Sequence, residues 1–423
     1  MKTSKLAAAV LAATVALGLT ACGGAPAQTP TATGPINLTF QSLSDQPGAI
    51  AATKEIVEAW NTANPTIKVE TIQAGWDGVF DKLTTQFSGK SAPDVIHYEA
   101  ASILPFAADG YLRDLSKDIS ASAKAEISDG VWDSVTFDGQ IVGVPTQMQT
   151  YVVFANTKLL ADAGVTVPAG DSMTWEQFAD IAKQATKGDV KGLGWGLKSP
   201  TATMMALGPI NGAAFFTGEG DKAEIAIGDN EIALPKAIRA LSDAGSLDPT
   251  SLTQSGGDVL KAFYAGKYAM TVQGSYQAAN IAKDAPEGFA WVELPPLSGT
   301  KGTYQAANPQ TLSVNIDSAH GAEAAKFVEF FTQPANMAKL NQADALIPAS
   351  KTAREQILTA TGGKDGWAMT LKSGESLTSA PYLKATNYAQ WKDTVATPAF
   401  QKYLTGQIDE ATLTSELEAG WKR

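Results

Sequence analysis

Cysteine occurs once and histidine twice in the 423 residues. A single thiol, Cys22, excludes a disulfide framework and a cysteine-rich metal site. The histidines, His97 and His320, are far apart, and no Asp-x-Asp-x-Asp-Gly calcium loop accompanies them, so metal capture has no clustered ligands to work with. No Gly-x-Ser-x-Gly nucleophile element is present either. Lysine and arginine together number 32 against 43 aspartates and glutamates, a formal net charge of -11. The basic residues form no run, which excludes nucleic acid as a partner on electrostatic grounds. Net charge of this sign bears on solubility and identifies no substrate.

What is present begins with a leader. Lys2 and Lys5 precede an apolar run from Leu6 to Leu19, a signal-peptide pattern over residues 1–21. The run is broken by Thr14 and Gly18 and falls short of a membrane span. It ends in Leu19-Thr20-Ala21-Cys22, which resembles the bacterial lipobox, in which the cysteine is acylated and becomes the first residue of the mature chain. Residues 23–35 are Gly, Ala, Pro, Gln and Thr with no large apolar side chain, so residues 22–35 form a flexible tether. The remainder is long enough for two domains or one bilobal unit.

From Ile36 the patterns alternate. Ile36 to Phe40 reads as a strand, and Ala49 to Asn61 as a helix with Ile50, Ile56, Val57 and Trp60 on one face. Asn64-Pro65 stops that helix; Ile67 to Ile72 alternates again, and Val79 to Phe87 returns to helical spacing. Pro93 to Ile96 supplies a third strand. Such alternation predicts an α/β fold with a mostly parallel sheet, whose ligands sit beyond the carboxyl ends of the strands. The loops there carry Ser44-Asp45-Gln46, Gly75-Trp76-Asp77 and His97-Tyr98-Glu99. Gly139 to Pro145, followed by the strand Tyr151 to Phe154, reads as a crossing between domains. Helices Thr174 to Ala185, Leu234 to Ala244 and Asp258 to Ala265, with a strand from Tyr268 to Val272, build a second lobe. Pro295-Pro296 marks the return, before a strand Thr311 to Val314, a helix Ala322 to Phe331 and a mainly helical end from Ala353 to Trp421.

Several segments together resemble the family-1 extracellular solute-binding proteins of carbohydrate ABC importers, the group that includes maltose-binding protein. They are the lipobox; Phe87-Ser88-Gly89-Lys90-Ser91-Ala92-Pro93-Asp94-Val95 with Phe106 to Leu115; Asp138 to Pro145 with Phe154-Ala155-Asn156; Thr174-Trp175-Glu176-Gln177-Phe178; Phe263 to Met270; and Glu323 to Phe330. The resemblance implies a two-lobed periplasmic-binding-protein fold, hinged, with the ligand cleft between the lobes. It places residues 36–146 and 303–347 in lobe 1, and 147–302 and 348–423 in lobe 2. It implies capture of a sugar for an ABC permease, a membrane anchor at Cys22, a monomer, and no cofactor. The chain departs from the common pattern at Gly274-Ser275-Tyr276, where many sugar binders carry Trp, at Phe154-Ala155, and at Asn308-Pro309-Gln310.

A sugar needs planar aromatics for its C–H faces and amide or carboxylate groups for its hydroxyls. On those terms the predicted ligand-binding residues are Trp76, Tyr98, Glu99, Gln147, Gln149, Tyr276, Asn308 and Gln310. Trp76 stands in a polar loop where a core aromatic is unusual, and Glu99 matches an acidic hydroxyl-binding position of the family or, failing that, a helix N-terminal carboxylate. Gln147 and Gln149 follow the crossing. Tyr276, Asn308 and Gln310 match cleft positions by the resemblance, with turn chemistry as the alternative. Met204, Met205 and Asn211 could line the second lobe's wall, although methionine is commonly core filler. Trp132, Trp175, Trp195 and Trp291 sit in helical or strand patterns and are assigned to the core. The rival readings are a glycosidase in which Glu99 has a carboxylate partner, a binder of a non-sugar polar solute, and a sensor that uses the same fold without a transporter.

Overall fold

The computed structural model describes residues 34–421; the predicted leader, Cys22 and all but the last two residues of the tether lie outside them. Strand β1 (Ile36–Ser42) leads to helix α1 (Pro47–Ala63), and Pro47 occupies its first turn, where a missing N–H forfeits no hydrogen bond. Ile56, Val57 and Trp60 are buried under α1, whereas Ile50, expected on the same face, is exposed. Strand β2 (Ile67–Gln73), helix α2 (Val79–Ser88), strand β3 (Val95–Glu99) and helix α3 (Ala100–Ala108) follow. Strands β2 and β3 both pair parallel with β1.

Strand β4 (Val144–Met148) completes the outward path of the first lobe. Across Gln149 and Thr150 the chain enters a second sheet through β5 (Tyr151–Asn156), then runs through helix α4 (Trp175–Gln184), β6 (Lys191–Gly194), helix α5 (Pro200–Leu207), β7 (Tyr268–Gly274), helix α6 (Gln277–Asp284) and β8 (Trp291–Glu293). It returns as β9 (Gln310–Val314), helices α7 (Gly321–Phe331) and α8 (Pro334–Asp344), and β10 (Ile347–Pro348). The strand orders are β10-β4-β9-β3-β1-β2 and β8-β5-β7-β6. Parallel pairing therefore stops at β3: β9 lies antiparallel to both β3 and β4. The reason is directional, since β9 comes back from the second sheet and enters the first from the cleft side. In the second sheet β5 runs antiparallel to β7 and β8.

Aromatic rings organise the core of the first lobe. Phe40 meets Phe327 and Phe331 edge-on at 5.5 Å, and Trp60 packs on Phe327 and Phe330, which seats α1 and α7 on one face of the sheet. In the second lobe Phe154 packs on Trp291 and Phe263 on Phe289. Met204 and Met205 are fully buried. The crossing segments are clamped to each other by the buried Gln305, whose Oε1 accepts from the Tyr151 N–H at 2.8 Å while its Nε2 donates to the Tyr151 carbonyl at 2.9 Å. No helix among the described residues is long and apolar enough to cross a membrane.

Candidate ligand-binding site

The carboxyl ends of β1 and β3 face the end of β7 across a cleft, and Tyr276 divides it into two cavities. The inner cavity, of about 420 Å³, is walled by the rings of Tyr151, Trp195, Tyr276, Tyr382 and Tyr388. Tyr151 is aimed there by the Gln305 clamp on its backbone. Tyr382 and Tyr388 pack at 4.8 Å between centroids, and burial raises the pKa of both hydroxyls, so they stay protonated and can donate as well as accept. The ring of Tyr276 rests on Gly274: a Cβ there would collide with it, meeting Cδ1 at 2.9 Å.

Polar groups converge on the same cavity. Asn308 Nδ2 donates to Glu99 Oε2 at 3.1 Å, and Asn308 Oδ1 accepts from the Ala101 N–H at 3.0 Å, which fixes the amide's orientation. Ser102 Oγ donates to the other carboxylate oxygen of Glu99 at 3.3 Å. Gln149 is exposed, with its side chain beside Gly274, and Lys392 supplies a cation at the rim. Glu99 is the one carboxylate that lines this cavity among the described residues.

The outer cavity, of about 430 Å³, sets Trp76, Asp45, Gln310 and Asp344 of the first lobe against Tyr276, Asn280 and Lys283 of the second. Trp76 is half-buried, its ring 6.0 Å from both His97 and Tyr98. The Asp344 carboxyl is raised by burial, an effect opposed by the hydrogen bond from Gln147 and reinforced by the charge of Asp45.

The structure gathers Glu99, Gln149, Tyr276 and Asn308 on the inner cavity and Trp76 and Gln310, again with Tyr276, on the outer one. Tyr98 and Gln147 reach neither. Tyr98 is buried beneath Trp76, and Gln147, 1% exposed, donates its Nε2 to Asp344 Oδ2 at 2.7 Å, so it reaches the cleft only through that carboxylate. Trp195 is buried as its pattern predicts, yet one side of it forms cavity wall. Asn211 is used elsewhere, its Oδ1 accepting from the Thr300 N–H. Sequence reasoning passed over Tyr151, Tyr382, Tyr388 and Asp344. The run of Tyr382, Tyr388 and Trp391 between polar residues near the C-terminus was a usable signal, because a short helical segment has no core of its own to absorb three aromatics.

Residues 44–338 match the family model for bacterial extracellular solute-binding proteins. A relative described as an uncharacterized lipoprotein in the oleD 5′ region of Streptomyces antibioticus is 37% identical over 402 residues, covering 94% of this chain and 87% of its own length. The fold is shared with the cyclic α-maltosyl-1,6-maltose binding protein from Arthrobacter globiformis, with a TM-score of 0.79 at 17% identity over 92% of this chain and 98% of that one. It is also shared with the sugar-binding protein MalE from Xanthomonas citri, with a TM-score of 0.78 at 20% identity over 90% and 95% of the two chains. The two-lobed α/β architecture with its cleft and the match across most of the length lead to one assignment: the chain belongs to the bacterial extracellular solute-binding protein family.

Proposed function

We propose that the cleft captures a sugar, a mono- or oligosaccharide, outside the cytoplasm and that closure of the lobes delivers it to an ABC import permease. The observation that carries this reading is the inner cavity, where five aromatic rings and the Glu99–Asn308 pair converge. Rings of this kind stack on the C–H faces of a pyranose, and the fixed carboxylate and amide take up its hydroxyls. A wrong epimer leaves such a group unpaired, at about 1–3 kcal/mol. The sugar ligands named for the two structural neighbours support the same class.

In this reading lobe 1 comprises residues 36–146 and 303–347, lobe 2 residues 147–302 and 348–423, and they close about the crossing segments as a hinge. The ligand drives closure only through contacts it makes with both lobes at once; Tyr276 and Asn308 stand where such contacts form. The match to the family of extracellular solute-binding proteins supports binding over hydrolysis. Acylation of Cys22 holds the monomer at the membrane, a reading supported by the lipoprotein relative, and surfaces on both lobes dock the two permease subunits.

The test is a thermal-shift screen of the purified protein against mono- and oligosaccharides, since a ligand bound only by the folded state raises its melting temperature. One sugar is expected to raise it, without turnover, and Glu99→Ala and Tyr388→Ala should abolish the shift. If no sugar moves the transition, the sugar class is wrong and the fold assignment stands.

A further inference from the structure

We propose that His97 is a positioning residue for the outer cavity: its imidazole holds the side-chain amide of Gln310 so that this position offers the ligand an N–H donor. The proposal rests on the reading of the cleft as a sugar site and names what one wall of it recognises, an acceptor oxygen such as a hydroxyl lone pair or a ring or glycosidic oxygen.

The geometry leaves the ring little choice. His97 is buried, and the backbone N–H of Leu43 donates to its Nδ1 at 3.1 Å. A backbone N–H cannot exchange roles, so Nδ1 is an acceptor and the neutral ring carries its proton on Nε2. Nε2 lies 2.7 Å from Gln310 Oε1 and donates to it. The reversed amide would set an NH₂ group against the imidazole N–H. Gln310 therefore turns its oxygen inward and presents its NH₂ to the cavity that it lines. Trp76 covers the ring edge-on at 6.0 Å. Burial draws the imidazole pKa down to about 4, against the opposing effects of the Gln310 hydrogen bond and the Asp45 charge, so the neutral tautomer persists at physiological pH.

Two substitutions separate positioning from filling. The amide nitrogen of a glutamine reaches the place of the histidine Nε2, whereas an asparagine reproduces only the Nδ1 side. His97→Gln therefore keeps the donor to Gln310, and His97→Asn keeps the acceptor for Leu43 but frees Gln310 to rotate. Imidazole ¹⁵N–¹H spectra of the ligand-free protein at pH 7, with the His97 signals identified by their loss in His97→Asn, should show a neutral ring protonated on Nε2. Calorimetric titration with maltotriose, cellobiose and N,N′-diacetylchitobiose should then show the tightest of the three losing about tenfold in affinity in His97→Asn and staying within about threefold in His97→Gln. A ring protonated on Nδ1 or doubly protonated overturns the proposal, as do equal losses in the two variants. If none of the three sugars binds the unaltered protein, the sugar reading with those probes falls, and the imidazole spectrum alone decides whether His97 fixes Gln310.

Discussion

Glu293 ends β8 with its side chain 3% exposed, and its two carboxyl oxygens share one donor: Thr370 Oγ1 donates to Oε2 at 2.8 Å, while Oε1 has no partner among the described residues. Burial raises its pKa well above the ordinary 4.5, and the Thr370 hydrogen bond only partly opposes that. The folded protein thus holds a proton that the unfolded chain releases near pH 4.5. The stability tied to that proton is complete below this pH and is lost as pH rises through the folded-state pKa. Glu293→Gln keeps an oxygen for Thr370 and does not titrate. Its melting temperature should exceed that of the unaltered protein at pH 7–8 and converge with it toward pH 4. Calorimetric scans at half-unit pH intervals check this, and two parallel curves would show that burial of the charge is not what sets the difference.

Among the elements, α4 shows how local chemistry sets a boundary. Thr174 Oγ1 accepts from the Gln177 N–H at 3.2 Å and Gln177 Oε1 accepts from the Thr174 N–H at 2.9 Å, a reciprocal capping box. The buried face of Phe178, Ile181 and Ala182 then seats the helix in the second lobe. Thr174→Ala should lower the unfolding free energy by about 1 kcal/mol, read from the urea midpoint, and leave sugar affinity unchanged because the cap does not line the cleft. A change in affinity would mean that α4 moves with the site.

At the scale of the whole molecule, one cation spans the proposed lobes. Lys384 Nζ donates to Asp133 Oδ1 at 2.8 Å and to Glu219 Oε1 at 3.0 Å, with its side chain only 10% exposed. Beside it the Asp138 N–H donates to Glu219 Oε2 at 3.2 Å. Asp133 and Asp138 belong to the first proposed lobe, Glu219 and Lys384 to the second. Lys384→Met keeps the stem and leaves two carboxylates facing each other without their counter-ion. Small-angle scattering of the ligand-free variant should show a larger radius of gyration, and sugar affinity should fall about threefold to tenfold because the closed state is less populated. Superposable scattering curves with equal affinity would show that this bridge does not govern the lobes.

The order of strands and helices was legible in the chain because hydrophobic period and stop signals are local. Ile36 to Phe40, Val79 to Phe87 and the span from Thr174 to Ala185 each declare their form within a dozen residues. The loops after β1, β2 and β3 could be suspected for the same reason, since an α/β fold puts its ligands there. By itself the sequence also determined that there is one thiol and two histidines, too few for a disulfide framework or a cysteine-rich metal site. The partnerships inside the cleft were decided by the tertiary structure alone. Glu99 meets Asn308 across 209 residues and His97 meets Gln310 across 213, and Tyr382 and Tyr388 arrive from the far end of the chain to wall the inner cavity. Gln147 and Gln149 would share a face if β4 continued, and they part because the strand ends at Met148, which leaves Gln147 buried and Gln149 exposed on the inner cavity. Periodicity reports which side of its own element a residue occupies, whereas a binding site is made where elements distant in sequence close on one another.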